Sequence, residues 1–227
     1  SLSVEEYELI MRTAAEMKKI MKRDIKKVPS LRGKSIINLF YENSTRTRSS
    51  FELAGKYLGA DVINISTAGS SVAKGECLKD TILTVQAMAC DAIVMRHPIE
   101  GAAKYAADIA SPVVINAGDG AHAHPTQGLL DMFTILEYKD VLKGRKLVYV
   151  GDGNNMAHSL MFACAKVGMN MVCASPKGYQ PDPQIVNMAK MDAAITGCTI
   201  KVEEDLYEAA KGADVLYTDV RASMGEE

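Results

Sequence analysis

The sequence predicts an α/β protein of two domains, each a mainly parallel sheet flanked by helices. Two observations carry this. Short apolar runs of strand length alternate with segments of helical periodicity almost from end to end, and hairpin punctuation between them is scarce. A third sets the scale: 227 residues, 48% hydrophobic and 24% charged, can bury one large core or two modest ones, which excludes a disordered or fibrous chain.

Residues 3–27 carry Val4, Tyr7, Leu9, Ile10, Ala14, Met17 and Met21 at mostly helical spacing and stop before Pro29. The apolar run at 35–41 reads as a buried strand. Phe51, Ala54, Gly55 and Leu58 then repeat at i, i+3, i+4 and i+7, a helix whose apolar face can cover that strand. Strands over 61–65, 92–95 and 113–116 alternate with helices over 76–89, 99–109 and 125–139. Lys143-Gly144-Arg145 reads as a turn, after which residues 146–150 open a new strand–loop–helix unit, and 171–174, 199–202 and 215–218 supply more strands. The first domain is placed at residues 1–140 and the second at 141–227.

A net charge of −2 leaves no global basic field for nucleic acid or an anionic membrane, so affinity for anions has to come from local placement of Arg, Lys and His. The five cysteines are scattered, and none forms a C-x-x-C pair. That argues against a zinc site or a redox dithiol, and unpaired thiols fit a reducing compartment. The first residues lack a basic stretch followed by an apolar one, and no apolar run approaches a membrane span, so a cytoplasmic location is expected.

Four segments carry candidate chemistry. Glu42-Asn43-Ser44-Thr45-Arg46-Thr47-Arg48-Ser49-Ser50 lies between a strand and a helix. A helix N-terminus offers unpaired N–H groups and the positive end of the dipole. Hydroxyls and paired guanidiniums there add fork-shaped, charge-assisted donors suited to phosphate. A cap needs one hydroxyl and has no use for paired arginines, so phosphate binding is the stronger reading. Ser70-Ser71-Val72-Ala73-Lys74-Gly75-Glu76 is a small polar loop before a helix. Met95-Arg96-His97-Pro98 stands at a strand's end, where α/β folds place binding groups. Gly118-Asp119-Gly120-Ala121-His122-Ala123-His124-Pro125-Thr126-Gln127 is a glycine-rich loop entering a helix. Its histidines have no third ligand at a sensible spacing, so no metal is expected, and His124 can donate to a developing oxyanion.

In this order, Ser44-Thr45-Arg46-Thr47-Arg48, Arg96-His97-Pro98 and His124-Pro125-Thr126-Gln127 resemble the signature set of the aspartate and ornithine carbamoyltransferases, and the resemblance extends over essentially the whole chain. It implies that the first domain holds carbamoyl phosphate. Ser44, Thr45, Arg46 and Thr47 would take the phosphate; Arg96, His124 and Thr47 would take the carbamoyl oxygen as the catalytic group; Gln127 would take the carbamoyl amino group. Ser70 and Lys74 resemble the loop that reaches into a neighbouring subunit's site, which implies a homotrimer or a multiple of trimers. The chemistry calls for no metal and no organic cofactor.

The resemblance also bears on the amine. The first half looks like the aspartate enzymes. In the second half, Gly151-Asp152-Gly153-Asn154-Asn155 and Thr218-Asp219-Val220 stand where those enzymes carry arginines for the substrate's carboxylates. Asp219-Val220-Arg221-Ala222-Ser223-Met224-Gly225 and Pro176-Lys177-Gly178-Tyr179 resemble the ornithine branch, so Asn155, Asp219, Ser223 and Met224 would hold ornithine, giving citrulline and phosphate. Arg221 departs from the aromatic residue usual there, which keeps another amine, or aspartate, as the alternative. The family's last stretch, with its His-Cys-Leu-Pro or His-Pro-Leu-Pro segment, has no counterpart before Glu227. The second domain is therefore expected to lack its C-terminal part, and a non-catalytic carbamoyl-phosphate-binding subunit is the alternative of another class.

Overall fold

The computed structural model describes residues 2–66 and 75–219. The chain divides into two compact units: residues 17–122, and residues 1–16 together with 123–227. Helix α1 (Val4–Met21) opens the chain. The first unit then alternates β1 (Ser35–Phe40), α2 (Thr45–Tyr57), β2 (Asp61–Ser66), α3 (Leu78–Ala87), β3 (Ala92–His97), α4 (Ala102–Ile109) and β4 (Val113–Asp119). Its strands pair in the order β2-β1-β3-β4, all parallel.

The period of two in β1 explains its place in mid-sheet. Ile37 and Leu39 point to one core, with Ile82, Val85, Ile93 and Met95. Phe40 points the other way and meets Val94 and Ala117. A strand buried on both faces reads as a continuous apolar run, and this one does. Its single polar interruption, Asn38, is fully buried, and its Nδ2 donates to Asn64 Oδ1 at 2.9 Å, directly across the β1–β2 register. Helix α2 lies close on β2 because Gly55 has no side chain: a Cβ there would stand 2.5 Å from Val62 Cγ2.

The second unit contains α5 (Pro125–Lys139), β5 (Lys146–Val150), α6 (Asn155–Val167), β6 (Asn170–Ala174), α7 (Pro183–Thr196), β7 (Ile200–Glu203), α8 (Leu206–Ala210) and β8 (Val215–Thr218). Its parallel sheet runs β7-β6-β5-β8. Its core joins Leu147, Tyr149, Met171 and Cys173 of the sheet to Leu160, Met161 and Cys164 of α6, Met132 of α5, and Tyr7 and Met11 of α1. Helix α5 is fastened here by close approach: at Gly128 a Cβ would lie 3.2 Å from the Ser159 carbonyl oxygen.

The α/β reading, with two mainly parallel sheets flanked by helices, is what the chain adopts. Boundaries differ in instructive ways. The 3–27 helix stops at Met21; the helix expected around residues 51–58 begins earlier, at Thr45; and β4 continues to Asp119. Helices α7 and α8 received no separate prediction, although Asp182-Pro183 is a readable start. The Asp182 side chain accepts from Gln184 N, and Pro183 occupies the first turn. Of the cysteines, Cys164 and Cys173 are buried, and burial pushes the Cys173 thiol up to about 11. No described helix is long and apolar enough to cross a membrane.

Candidate functional site

Chain order reverses between β1 and β3 in the first sheet, since β2 lies on one side of β1 and β3 on the other. Such switch points open a crevice beyond the strands' carboxyl ends. Residues 44–47 follow β1 there, and Arg96 lies at the end of β3, in register with Phe40. Ser44 is the N-cap of α2 by backbone position, yet its side chain makes no capping hydrogen bond. The first turn of α2 thus carries its donors without the hydroxyl spent on them, the arrangement an anion cradle requires. Arg46 is exposed, and Thr47 and Arg48 are half-buried.

Arg96 is 8% exposed and held from two sides. Its Nε donates to Glu42 Oε2 at 3.1 Å, and its Nη1 donates to the Ala117 carbonyl at 3.1 Å. The next residue, Gly118, has φ +123, and a Cβ there would stand 2.7 Å from Nη1. The glycine therefore answers to the guanidinium as well as to its own backbone. Asp119 is 1% exposed and organises the following loop. It accepts from Gly101 N at 3.0 Å and from Asn116 Nδ2 at 2.9 Å, and the His122 ring lies against it. His97 accepts from Ile99 N through Nδ1 and packs on the Tyr41 ring. Burial holds its pKa below the ordinary value, the nearby Glu42 carboxylate acting against it.

In the second unit the switch point falls between β5 and β8. Residues 151–155 follow β5, and Asp219 follows β8, its N–H reaching the Val150 carbonyl at 3.4 Å. Asn154 caps α6 by accepting from Met156 N at 3.0 Å, which leaves Asn155 as the first residue of that helix. The Gly153 N–H donates to Tyr179 O at 2.7 Å, and a Cβ at Gly153 would stand 2.0 Å from Pro181 N, so the 176–181 segment lies directly on the turn. Carboxylates gather here. Asp219 and Asp152 both raise the Tyr149 phenol beyond what burial does, and Asp219 adds to the burial that raises Asp131.

Helix α5 starts at Pro125, with His124 as its N-cap. The His124 N–H donates to Ser159 Oγ at 2.7 Å, and that hydroxyl donates to the Asn155 carbonyl at 2.7 Å. One serine thus ties two predicted site residues together. One turn on, Gln127 Nε2 donates to Asp131 Oδ1 at 2.8 Å. Among the predicted residues, 44–47 and Arg96 belong to the first unit, and His124, Gln127, Asn155 and Asp219 to the second. Ser70, Lys74, Arg221, Ser223 and Met224 lie outside the described residues. Sequence reasoning passed over Glu42, Gly118, Ser159 and Asp131 as working parts. Only Asp131 left a local signal, its i,i+4 spacing from Gln127. Among the described residues no cluster of three or more His, Cys, Asp or Glu side chains is arranged to hold a metal ion.

Two open parallel sheets, each with polar turns at its switch point, define the class of α/β architecture in which ligands bind at the carboxyl ends of the strands. Comparison with known proteins narrows the class. The carbamoyl-phosphate-binding domain of the aspartate/ornithine carbamoyltransferases matches residues 1–137, and the aspartate/ornithine-binding domain of the same family matches residues 143–227. The aspartate carbamoyltransferase catalytic subunit of Desulforamulus reducens is 49% identical over 217 residues, 95% of this chain and 66% of that protein. The ornithine carbamoyltransferase of Pyrococcus furiosus superposes with a TM-score of 0.91 at 41% identity, over 99% of this chain and 71% of that one. The aspartate transcarbamoylase of Trypanosoma cruzi, solved with carbamoyl aspartate and phosphate, gives 0.87 at 31% identity, over 96% and 72%. The chain belongs to the aspartate/ornithine carbamoyltransferase family and spans just under two thirds of the length of the Desulforamulus relative.

Proposed function

We propose that this chain binds carbamoyl phosphate and an amino acid and takes part in transfer of the carbamoyl group to the amino acid's amine. One observation carries the reading: the uncapped Ser44 turn, which follows β1, and the doubly held Arg96, at the end of the adjacent β3, stand at the first sheet's switch point. In this reading Ser44, Thr45, Arg46 and Thr47 bind the phosphate. Arg96, His124 and Thr47 stabilise the carbamoyl oxygen as charge builds on it. Gln127 holds the carbamoyl amino group. The amine attacks the carbamoyl carbon, the C–O bond to phosphate breaks, and phosphate leaves with the amine's proton. Donors fixed before reaction lower the barrier because they need no reorganisation as the charge develops, and holding two reactants together adds the proximity effect. Residues 1–140 are assigned to the phosphate donor and 141–227 to the amino acid. The assembly proposed is a homotrimer working in the cytoplasm, with Ser70 and Lys74 serving a neighbouring site.

For the acceptor, two observations favour different amines. Asp131, Asp152 and Asp219 make the second switch point rich in carboxylates, which attracts an ammonium group and repels a dicarboxylate. This supports ornithine, with Asn155, Asp219, Ser223 and Met224 as its contacts. Likeness over the whole chain supports aspartate, because relatives at 45–49% identity carry the name aspartate carbamoyltransferase. A colorimetric assay of carbamoylated product with each amine decides between them. Citrulline formed from ornithine, with none of the aspartate product, supports the first; the reverse result removes it. Binding of carbamoyl phosphate without turnover of either amine would overturn the transferase reading in favour of a binding subunit.

A further inference from the structure

We propose that Asp131 is a positioning residue that fixes the side-chain amide of Gln127 with its carbonyl oxygen turned to the ligand. The proposal rests on the assignment of Gln127 to the carbamoyl amino group given above.

The geometry starts from one turn of α5. Gln127 Nε2 donates to Asp131 Oδ1 at 2.8 Å, an i,i+4 pair on one helix face. A carboxylate has only acceptors, so it admits the amide's NH2 and excludes its oxygen. Turning the amide over would bring two acceptor oxygens together. With the NH2 engaged, Oε1 is the end of Gln127 left to accept, and the amino group of a carbamoyl ligand has only donors to offer.

Three further facts separate this pair from an ordinary helix ion or amide pair. Asp131 is only partly exposed, and its second oxygen, Oδ2, is buried. The Tyr217 phenol faces the same carboxyl and holds its pKa down against the burial. Burial raises the Asp131 carboxyl, and Asp219 raises it further. A surface pair holds both groups in water at little desolvation penalty. Here a carboxyl stands where burial works against its charge, and what it does there is orient an amide.

Acetyl phosphate tests this, because it carries a methyl group where carbamoyl phosphate carries the amino group. Both ligands are titrated calorimetrically into the wild-type protein and the variants Asp131→Ala, Asp131→Asn, Gln127→Ala and the double alanine variant. The wild type is expected to prefer carbamoyl phosphate by about tenfold or more, the worth of one well-made hydrogen bond. Asp131→Ala should remove most of that preference while acetyl phosphate binds as before, which also reports an intact fold. Asp131→Asn keeps an acceptor oxygen and should retain the preference. The double variant should lose no more of it than Gln127→Ala alone. Equal weakening of both ligands in Asp131→Ala would assign Asp131 a purely structural role, and an unchanged preference would remove the proposal. A wild type without any preference overturns the Gln127 assignment itself, and that result is read before any variant is made.

Discussion

Arg96 Nε donates to Glu42 Oε2 at 3.1 Å, which pairs the cation at the end of β3 with an acid two residues beyond β1. The guanidinium is nearly buried, so its charge is desolvated and needs both Glu42 and the Ala117 carbonyl. Arg96→Ala is expected to lower kcat roughly 100-fold, the usual effect of losing one preorganised donor to a developing oxyanion. Glu42→Ala is expected to cost about 1–3 kcal/mol of stability by leaving the arginine half-satisfied. In the double variant the stability losses should fall short of their sum, because each side chain's loss is partly the other's. Chemical denaturation of the four proteins checks this, and full additivity would mean the pair is not coupled.

The Gly118 position ties backbone to function. Its φ of +123 and the 2.7 Å that would separate a Cβ from Arg96 Nη1 leave no room for a side chain. Gly118→Ala is expected to displace the guanidinium and to weaken carbamoyl phosphate binding by about tenfold, alongside a stability loss of about 1–3 kcal/mol from the strained backbone. Calorimetric titration beside thermal melting separates the two effects. Unchanged affinity would show that Arg96 does not answer to this glycine.

Much of the fold was legible because parallel strands announce themselves as apolar runs, and β1, β3 and β5 are buried on both faces. The site was legible where a motif is local: residues 44–47 supply their own hydroxyls and guanidiniums in one turn. It was not legible where a partner comes from elsewhere in the chain. Glu42 and Arg96 are 54 residues apart, and His124 and Ser159 are 35 apart. Neither pairing follows from spacing, since only the strand order and the α5–α6 packing bring those residues together. Asn38 is the same kind of case, a polar residue inside an apolar strand whose reason, Asn64, lies on the neighbouring strand.

That Asn38–Asn64 pair is expected to fix the β1–β2 register. Asn64 Nδ2 goes on to donate to Glu52 Oε2 at 2.7 Å, so the contact chain runs from the sheet into α2. Asn64→Ala should cost about 1–3 kcal/mol, because it leaves the buried Asn38 amide without its acceptor. Replacing both residues by apolar ones should recover part of that loss. Urea denaturation reads both values, and a neutral Asn64→Ala would sink the argument.

His97 is expected to make stability depend on pH. Its folded pKa lies below the unfolded 6.5, chiefly through burial. Above 6.5 both states are neutral and nothing is lost. As pH falls through 6.5 the unfolded chain takes up the proton first, so stability decreases until the folded pKa is passed. His97→Phe keeps a ring against Tyr41 and gives up the acceptor for Ile99 N, at about 1 kcal/mol near pH 7.5. Its urea midpoint should fall less steeply than the wild type's between pH 7.5 and 5. Parallel slopes for the two proteins would show that His97 does not titrate differently on folding.

Asp131 runs in the opposite sense. Burial raises its carboxyl above 3.8, so between 3.8 and the raised value the folded state binds more protons than the unfolded state. Stability contributed by this group is therefore full below pH 3.8 and is lost as pH rises through the folded pKa. At pH 7 the folded protein carries the whole burden of the buried charge, and Asp131→Asn removes that charge while keeping an oxygen for Gln127. The variant is expected to be more stable than the wild type at pH 7 and to lose that advantage on acidification towards pH 4. Denaturant midpoints at the two pH values measure it. An Asp131→Asn variant less stable than the wild type at pH 7 would mean that the Gln127 bond to a charged acceptor outweighs the desolvation. Stabilisation combined with retained preference for carbamoyl phosphate would show that the acceptor oxygen, rather than the charge, is what Gln127 needs.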